Sequence, residues 1–161
     1  VAVAVTMGYT SMVYAGIHIM HSRPPAKKRV FEFMFIYNAT LVMLNASLGF
    51  TLWREAWDRN FSRPWGNVPD TTDAGHHLGM LLWFQYHCKQ LEMLDTIFII
   101  LRKKFHRMSF LHILLKLLHM WGWFFVCRYA CGGDSYFAAA VNCSCQVVVY
   151  TYYSLSLIQM Q

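Results

Sequence analysis

Charge is what this sequence has least of. Only 14% of its 161 residues are Asp, Glu, Lys or Arg, where a soluble domain carries about a quarter. A second absence goes with the first. The apolar residues, 57% of the chain, are not offset by a polar stripe at helical spacing, which a water-facing helix bundle needs. Together these exclude a soluble fold. The five cysteines, Cys88, Cys127, Cys131, Cys143 and Cys145, contain no Cys-x-x-Cys pair, so the common zinc and thiol-redox patterns are missing. They read as small apolar fillers, with Cys127 and Cys131 able to pair at the outer end of a helix. No basic stretch precedes the first apolar run, and a strongly basic one follows it. That run is expected to be a retained helix rather than a cleaved signal.

What is present are apolar runs of roughly 20 residues, the length that crosses a bilayer. Five are expected, at about 1–20, 30–53, 78–101, 108–127 and 136–160. The fold class is therefore an all-α membrane protein with about five transmembrane helices in one domain, residues 1–161. No internal repeat or low-complexity linker divides it. Pro24 and Pro25 separate the first two helices. Pro64, Gly66 and Pro69 mark one loop, and Gly132-Gly133 another.

The net charge of +6 is a matter of topology rather than nucleic-acid binding. Arg23, Lys27, Lys28 and Arg29 fill the first loop, and Arg102, Lys103, Lys104 and Arg107 the third. The second loop mixes Arg54, Arg59 and Arg63 with Glu55, Asp58, Asp70 and Asp73. Basic residues in alternate loops follow the positive-inside rule. The first and third loops are then inside and the N-terminus is on the outer, lumenal side. Trp53, Trp57 and Trp65 fall at the outer interface, where amphipathic rings are favoured. Asn60-Phe61-Ser62 is a glycosylation sequon on that side.

Ionisable groups within a bilayer mark function or a partner. Lys89, Glu92 and Asp95 stand three apart on the third helix, with Lys89 and Glu92 in reach of each other. Counting 1.5 Å per residue from the inner end, Asp95 lies roughly 10 Å deep and Glu92 roughly 15 Å. On the returning helix His112 is roughly 7 Å deep and Lys116 roughly 13 Å. Lys116 is thus expected to pair with Glu92 or Asp95, since an unpaired lysine at that depth costs a few kcal/mol or more. His112, Lys116 and His119 share one helix face. Two histidines separated by a lysine make a poor metal site, so no metal or other cofactor is expected. His76 and His77 read as a solvated pair at a loop edge.

These residues resemble a known family. KQLEMLDTIFIILRKK, Lys89 to Lys104, is similar to the K-x-x-E-x-x-D-T signature and following L-R-K-K of the ELO fatty-acid elongases. SFLH at Ser109–His112 resembles the start of their histidine box, H-x-x-H-H. Gly132-Gly133, Asn142 and the VYTYYSLS stretch from Val149 match later landmarks. Arg23-Pro24-Pro25 and Tyr37-Asn38 match earlier ones. The resemblance implies the first five helices of a seven-helix fold. It also implies a reaction: malonyl-CoA loses CO2, and the resulting carbanion attacks an acyl-CoA carbonyl. CoA thiolate leaves, giving a 3-ketoacyl-CoA two carbons longer.

The chain departs from the family at the positions that matter for this chemistry. The box would place histidines at 112, 115, 116 and, later, 146. The chain has His112, Leu115, Lys116 and Gln146. Histidine can move protons near neutral pH or hold an acyl group. Leucine does neither, glutamine cannot titrate, and a lysine between carboxylates is a fixed charge. The residues expected to carry the fold persist: Lys89, Glu92, Asp95, Asn142, Tyr150, Tyr152 and Tyr153, with His119 near the cavity. The expected function is a catalytically inactive, lipid-holding subunit of a larger membrane complex. Its partners are membrane lipids, a bound acyl chain and other membrane subunits. The alternative is an active elongase using His112, His119 and Lys116 on acyl-CoA and malonyl-CoA. An active enzyme belongs in the endoplasmic reticulum; a repurposed subunit can sit in another membrane, including an organelle's inner one.

Overall fold

A computed structural model describes residues 1–24, 28–58, 66, 73–130 and 133–159. All regular structure among them is helical. The helices are α1 (Ala2–His21), α2 (Lys28–Asp58), α3 (Asp73–Glu92), α4 (Asp95–Leu101), α5 (Phe110–Tyr129) and α6 (Ser135–Gln159), with a single 3-10 turn at Phe105–Arg107. The possible Cys127–Cys131 pair, the sequon, Trp65, Pro25, Pro64, Pro69 and Gly132 involve positions outside the described residues.

Among the described residues three stretches are long and apolar enough to cross a membrane: Ala2–His21, Val30–Asp58 and Phe110–Tyr129. Five were expected. The other two fall short in composition because they carry the polar interior. In α3 lie His76, His77, Gln85, His87, Lys89, Gln90 and Glu92; in α6 lie Asn142, Gln146 and a run of hydroxyl side chains.

The expected continuous helix over 78–101 is also corrected. It is two helices, interrupted at Met93–Leu94. Neither Gly nor Pro stands there. The backbone tightens instead, with Met93 N donating to Gln90 O and Leu94 N to Leu91 O at 3.2 and 3.0 Å. The carbonyls around the break are engaged from other helices. The Tyr37 hydroxyl donates to Leu91 O at 2.9 Å, and Lys116 Nζ donates to Glu92 O at 2.8 Å. Side chains of α2 and α5 thus occupy carbonyls beside the break, an arrangement that local sequence does not reveal.

α2 packs most extensively on α6, and α3 on α5. Leu52, Leu82, Met120, Ala139 and Cys143 are fully buried between them. α1 lies against α4 and α5: Tyr9 meets Thr96, and the Trp121 indole donates to Thr6 Oγ1 at 3.1 Å. The Ser109 hydroxyl caps α5 by accepting from His112 N at 3.2 Å, as expected of a serine before a helix. Lys103 Nζ donates to His21 O at 3.3 Å. The end of α1 and the basic stretch after α4 therefore share one end of the bundle. At the other end His77 is not merely solvated; its Nδ1 lies 3.2 Å from Glu55 Oε2.

The α2–α6 seam depends on a glycine. A Cβ built on Gly49 would sit 3.1 Å from the Cβ of Cys143. Neither atom can move without its backbone. Gly49→Ala is expected to lower stability by about 1–2 kcal/mol through overpacking, read as a lower melting temperature in detergent. An unchanged or raised value would show that the seam has room to open.

Candidate functional site

The polar residues of the interior form a ladder along the bundle. Gln85 is its first rung. Its amide donates to Asn142 Oδ1 at 2.9 Å, and its carbonyl oxygen accepts from Cys143 Sγ at 3.1 Å. Next comes the Lys89–Glu92 pair, with Nζ and Oε1 2.7 Å apart. Both residues are buried, 2% and 4% exposed. The second Glu92 oxygen accepts from Gln146 Nε2 at 3.2 Å.

One turn further in, Asp95 Oδ2 accepts from Lys116 Nζ at 2.8 Å and from the Tyr150 hydroxyl at 2.7 Å. Of the two partners expected for Lys116, Asp95 is the carboxylate it pairs with; Glu92 supplies its main-chain carbonyl. The last rung is His112, whose Nε2 lies 3.3 Å from Thr96 Oγ1. Thr96 in turn meets the Tyr9 hydroxyl at 2.8 Å. Four helices besides the α3–α4 pair are tied to this ladder: α1 through Tyr9, α2 through Tyr37, α5 through Lys116 and α6 through Tyr150.

The ladder brings together Lys89, Glu92, Asp95, His112, Lys116, Asn142, Gln146 and Tyr150. Other expected site residues lie elsewhere. Leu115 is 43% exposed and faces outward. His119 is also exposed. It contacts the carbonyl of its own helix, with Nδ1 2.8 Å from Leu115 O. One turn beyond Lys116 it is past the level of α4, so it neither lines the site nor packs within it. Tyr152 is 66% exposed. Two residues after the buried Tyr150, it stands on nearly the opposite side of α6. Tyr153 is half-exposed and borders a cavity.

That cavity, of about 280 Å³, lies beside the start of the basic stretch that follows α4. Asp95 and His112 of the ladder line it. Arg102 and Lys104 also line it, and Met34, Phe98, Ile99 and Leu157 give it apolar walls. Among the described residues no three His, Cys, Asp or Glu side chains are grouped as metal ligands.

Sequence reasoning passed over Gln85, Tyr9 and the bonding role of Thr96. Thr96 closes the K-x-x-E-x-x-D-T signature, so a signal was available. Tyr9 and Gln85 belong to no recognised motif, and only packing shows their place.

An ionic ladder packed among helices that include three membrane-length apolar ones defines this chain as a helical integral membrane protein with a buried polar site. Its particular kinship follows from comparison with known proteins. Residues 1–161 match the ELO family, described as the GNS1/SUR4 family, and the chain belongs to that family. It is 31% identical over 153 residues to very long chain fatty acid elongase 5 of Tachysurus fulvidraco, covering 95% of this chain and 51% of the relative. Very long chain fatty acid elongase 2 of Mus musculus is 28% identical, covering 94% and 51%. Elongase 4 of Mus musculus is 29% identical, covering 96% and 49%. The chain spans about half the length of these curated relatives.

Proposed function

We propose that this protein keeps the elongase fold without condensation chemistry, and serves as a lipid-holding subunit of a larger membrane complex. One observation carries the reading. At two of the positions where the family has box histidines, Lys116 and Gln146 hold the site carboxylates, through Asp95 and Glu92 respectively. A third position, Leu115, faces outward. The groups that would share protons with a histidine are instead tied up in fixed pairs.

His112 supports a second reading, an active elongase condensing malonyl-CoA with a long acyl-CoA, because it faces the cavity beside Asp95. In that reading His112 needs a proton partner. The exposed His119 does not supply one, and Lys116 is already paired. Location follows function: the endoplasmic reticulum for an active enzyme, another membrane, such as an organelle's inner one, for a repurposed subunit.

The test is a condensation assay on purified protein, with malonyl-CoA and a panel of long-chain acyl-CoAs. Product formation should match a protein-free control, and His112→Ala should change nothing. Turnover that is lost in His112→Ala would establish the second reading.

A further inference from the structure

His112 is the one box histidine this chain retains, and the hydroxyl groups beside it leave its ring little choice of tautomer. We infer that Tyr9 and Thr96 are positioning residues that fix the proton of neutral His112 on Nδ1. The ring then offers the cavity a hydrogen-bond donor and not a lone pair. This rests on the reading that the site has no condensation chemistry, and it supplies a reason at His112.

Three polar groups from three helices stand in a row. The Tyr9 hydroxyl of α1 is 2.8 Å from Thr96 Oγ1 of α4, and Thr96 Oγ1 is 3.3 Å from His112 Nε2 of α5. Neither hydroxyl has another partner among the described residues. Tyr9 is 4% exposed and Thr96 0%, so solvent does not take up a spare proton. Nor does Thr96 turn back onto its own helix, as threonines in helices commonly do. The carbonyl one turn earlier, Glu92 O, is engaged by Lys116 Nζ at 2.8 Å.

A count of protons gives the direction of the chain. If Nε2 accepts, Tyr9 donates to Thr96, Thr96 donates to Nε2, and both hydroxyl protons are used. If Nε2 carries the proton, three protons compete for two contacts, and one hydroxyl is stranded in the interior. A stranded buried donor bears its full desolvation cost. The chain therefore runs from Tyr9 through Thr96 to Nε2, and the ring proton sits on Nδ1. Nε2 commits its lone pair to Thr96. Nδ1 has no partner among the described residues and is the nitrogen left for the cavity, which His112 lines together with Asp95. A protonated Nδ1 donates to an oxygen, but has no lone pair with which to take a proton or an acyl group.

Nitrogen-15 NMR of the histidine-labelled full chain in detergent reads the tautomer directly, at an alkaline pH where imidazoles are neutral. The spectrum of His112→Gln identifies the His112 signals. The Nδ1–H form should outnumber the Nε2–H form by about tenfold, equivalent to ~1.4 kcal/mol, as one stranded hydroxyl implies. Thr96→Val removes the donor at nearly constant volume and should bring the ratio near unity. Thr96→Ser should restore it. Tyr9→Phe frees the Thr96 hydroxyl to turn onto a carbonyl of its own helix, and should lower the ratio several-fold.

A ratio at or below one in the unaltered protein would overturn the proposal. A tenfold ratio that folded Thr96→Val leaves unchanged would overturn it too, and one that Tyr9→Phe leaves unchanged would remove Tyr9 from it. Size-exclusion profiles identify any variant that fails to fold. If Thr96→Val fails, the ratio in the unaltered protein and in Tyr9→Phe decides. These outcomes are distinct from those of the condensation assay. Turnover by a protein whose His112 is in the Nδ1–H form would overturn the non-catalytic reading and leave the tautomer assignment standing. Mixed tautomers without turnover would overturn the assignment alone.

Discussion

Replacing Lys89 with methionine is expected to lower the unfolding free energy by about 4 kcal/mol. That is within the range for removing one partner of a buried ion pair. Lys89 and Glu92 are almost wholly buried, and their contact is a 2.7 Å charge-assisted bond. Methionine fills much of the lysine's volume, so a cavity contributes little. The cost arises because Glu92 is left charged with only the Gln146 amide against it. The double variant Lys89→Met, Glu92→Leu removes the stranded charge as well. It should recover most of the loss, because apolar replacements of buried pairs are often neutral or better. Denaturant or thermal unfolding in detergent reads both. A loss below about 1 kcal/mol in the single variant, the size seen for surface pairs, would mean that water reaches the pair.

Lys116→Leu is expected to cost about 3 kcal/mol, for a different set of reasons. The lysine is the one side chain of α5 that reaches both Asp95 and the carbonyl at the helix break. Its loss leaves Asp95 with the Tyr150 hydroxyl, so the carboxylate keeps one donor. The loss also frees Glu92 O, which can return to an intrahelical bond. The variant should therefore straighten the α3–α4 junction while lowering stability. Asp95→Asn in the same background should cost much less than Asp95→Asn alone, since the pair's coupling is already gone. An unchanged melting temperature for Lys116→Leu would show that the pair contributes nothing to the fold. Additive losses in the cycle would show that Lys116 and Asp95 act independently.

Much of this architecture was legible in the sequence because a bilayer imposes strong length and polarity rules. The ends of α1, α2, α5 and α6 fall within a few residues of the expected spans, apart from the longer outer end of α2. The Lys116 pairing was also readable, because helix rise alone brings a lysine on α5 to the depth of two carboxylates on the preceding span. The break at Met93–Leu94 was not readable. It coincides with donors from α2 and α5 on carbonyls of that turn, a tertiary arrangement that leaves no local signature. His119 and Tyr152 were misplaced for a related reason. A helical face predicts which residues align, but not where a neighbouring helix stops covering them. Gln85 and Tyr9 could only be found once helices distant in sequence were packed together.

In the proposed function, Lys116 and Gln146 hold the carboxylates in pairs that leave no condensation chemistry. The most direct measurement of this is release of labelled CO2 from carboxyl-labelled malonyl-CoA in the presence of mixed long-chain acyl-CoAs. Decarboxylation produces the attacking carbanion, so CO2 release registers the reaction whichever of the acyl chains supplied fits the site. The account predicts release at the rate without protein, the same in His112→Ala. Release well above that rate, abolished by His112→Ala, would contradict it and make this chain a working elongase with an altered site.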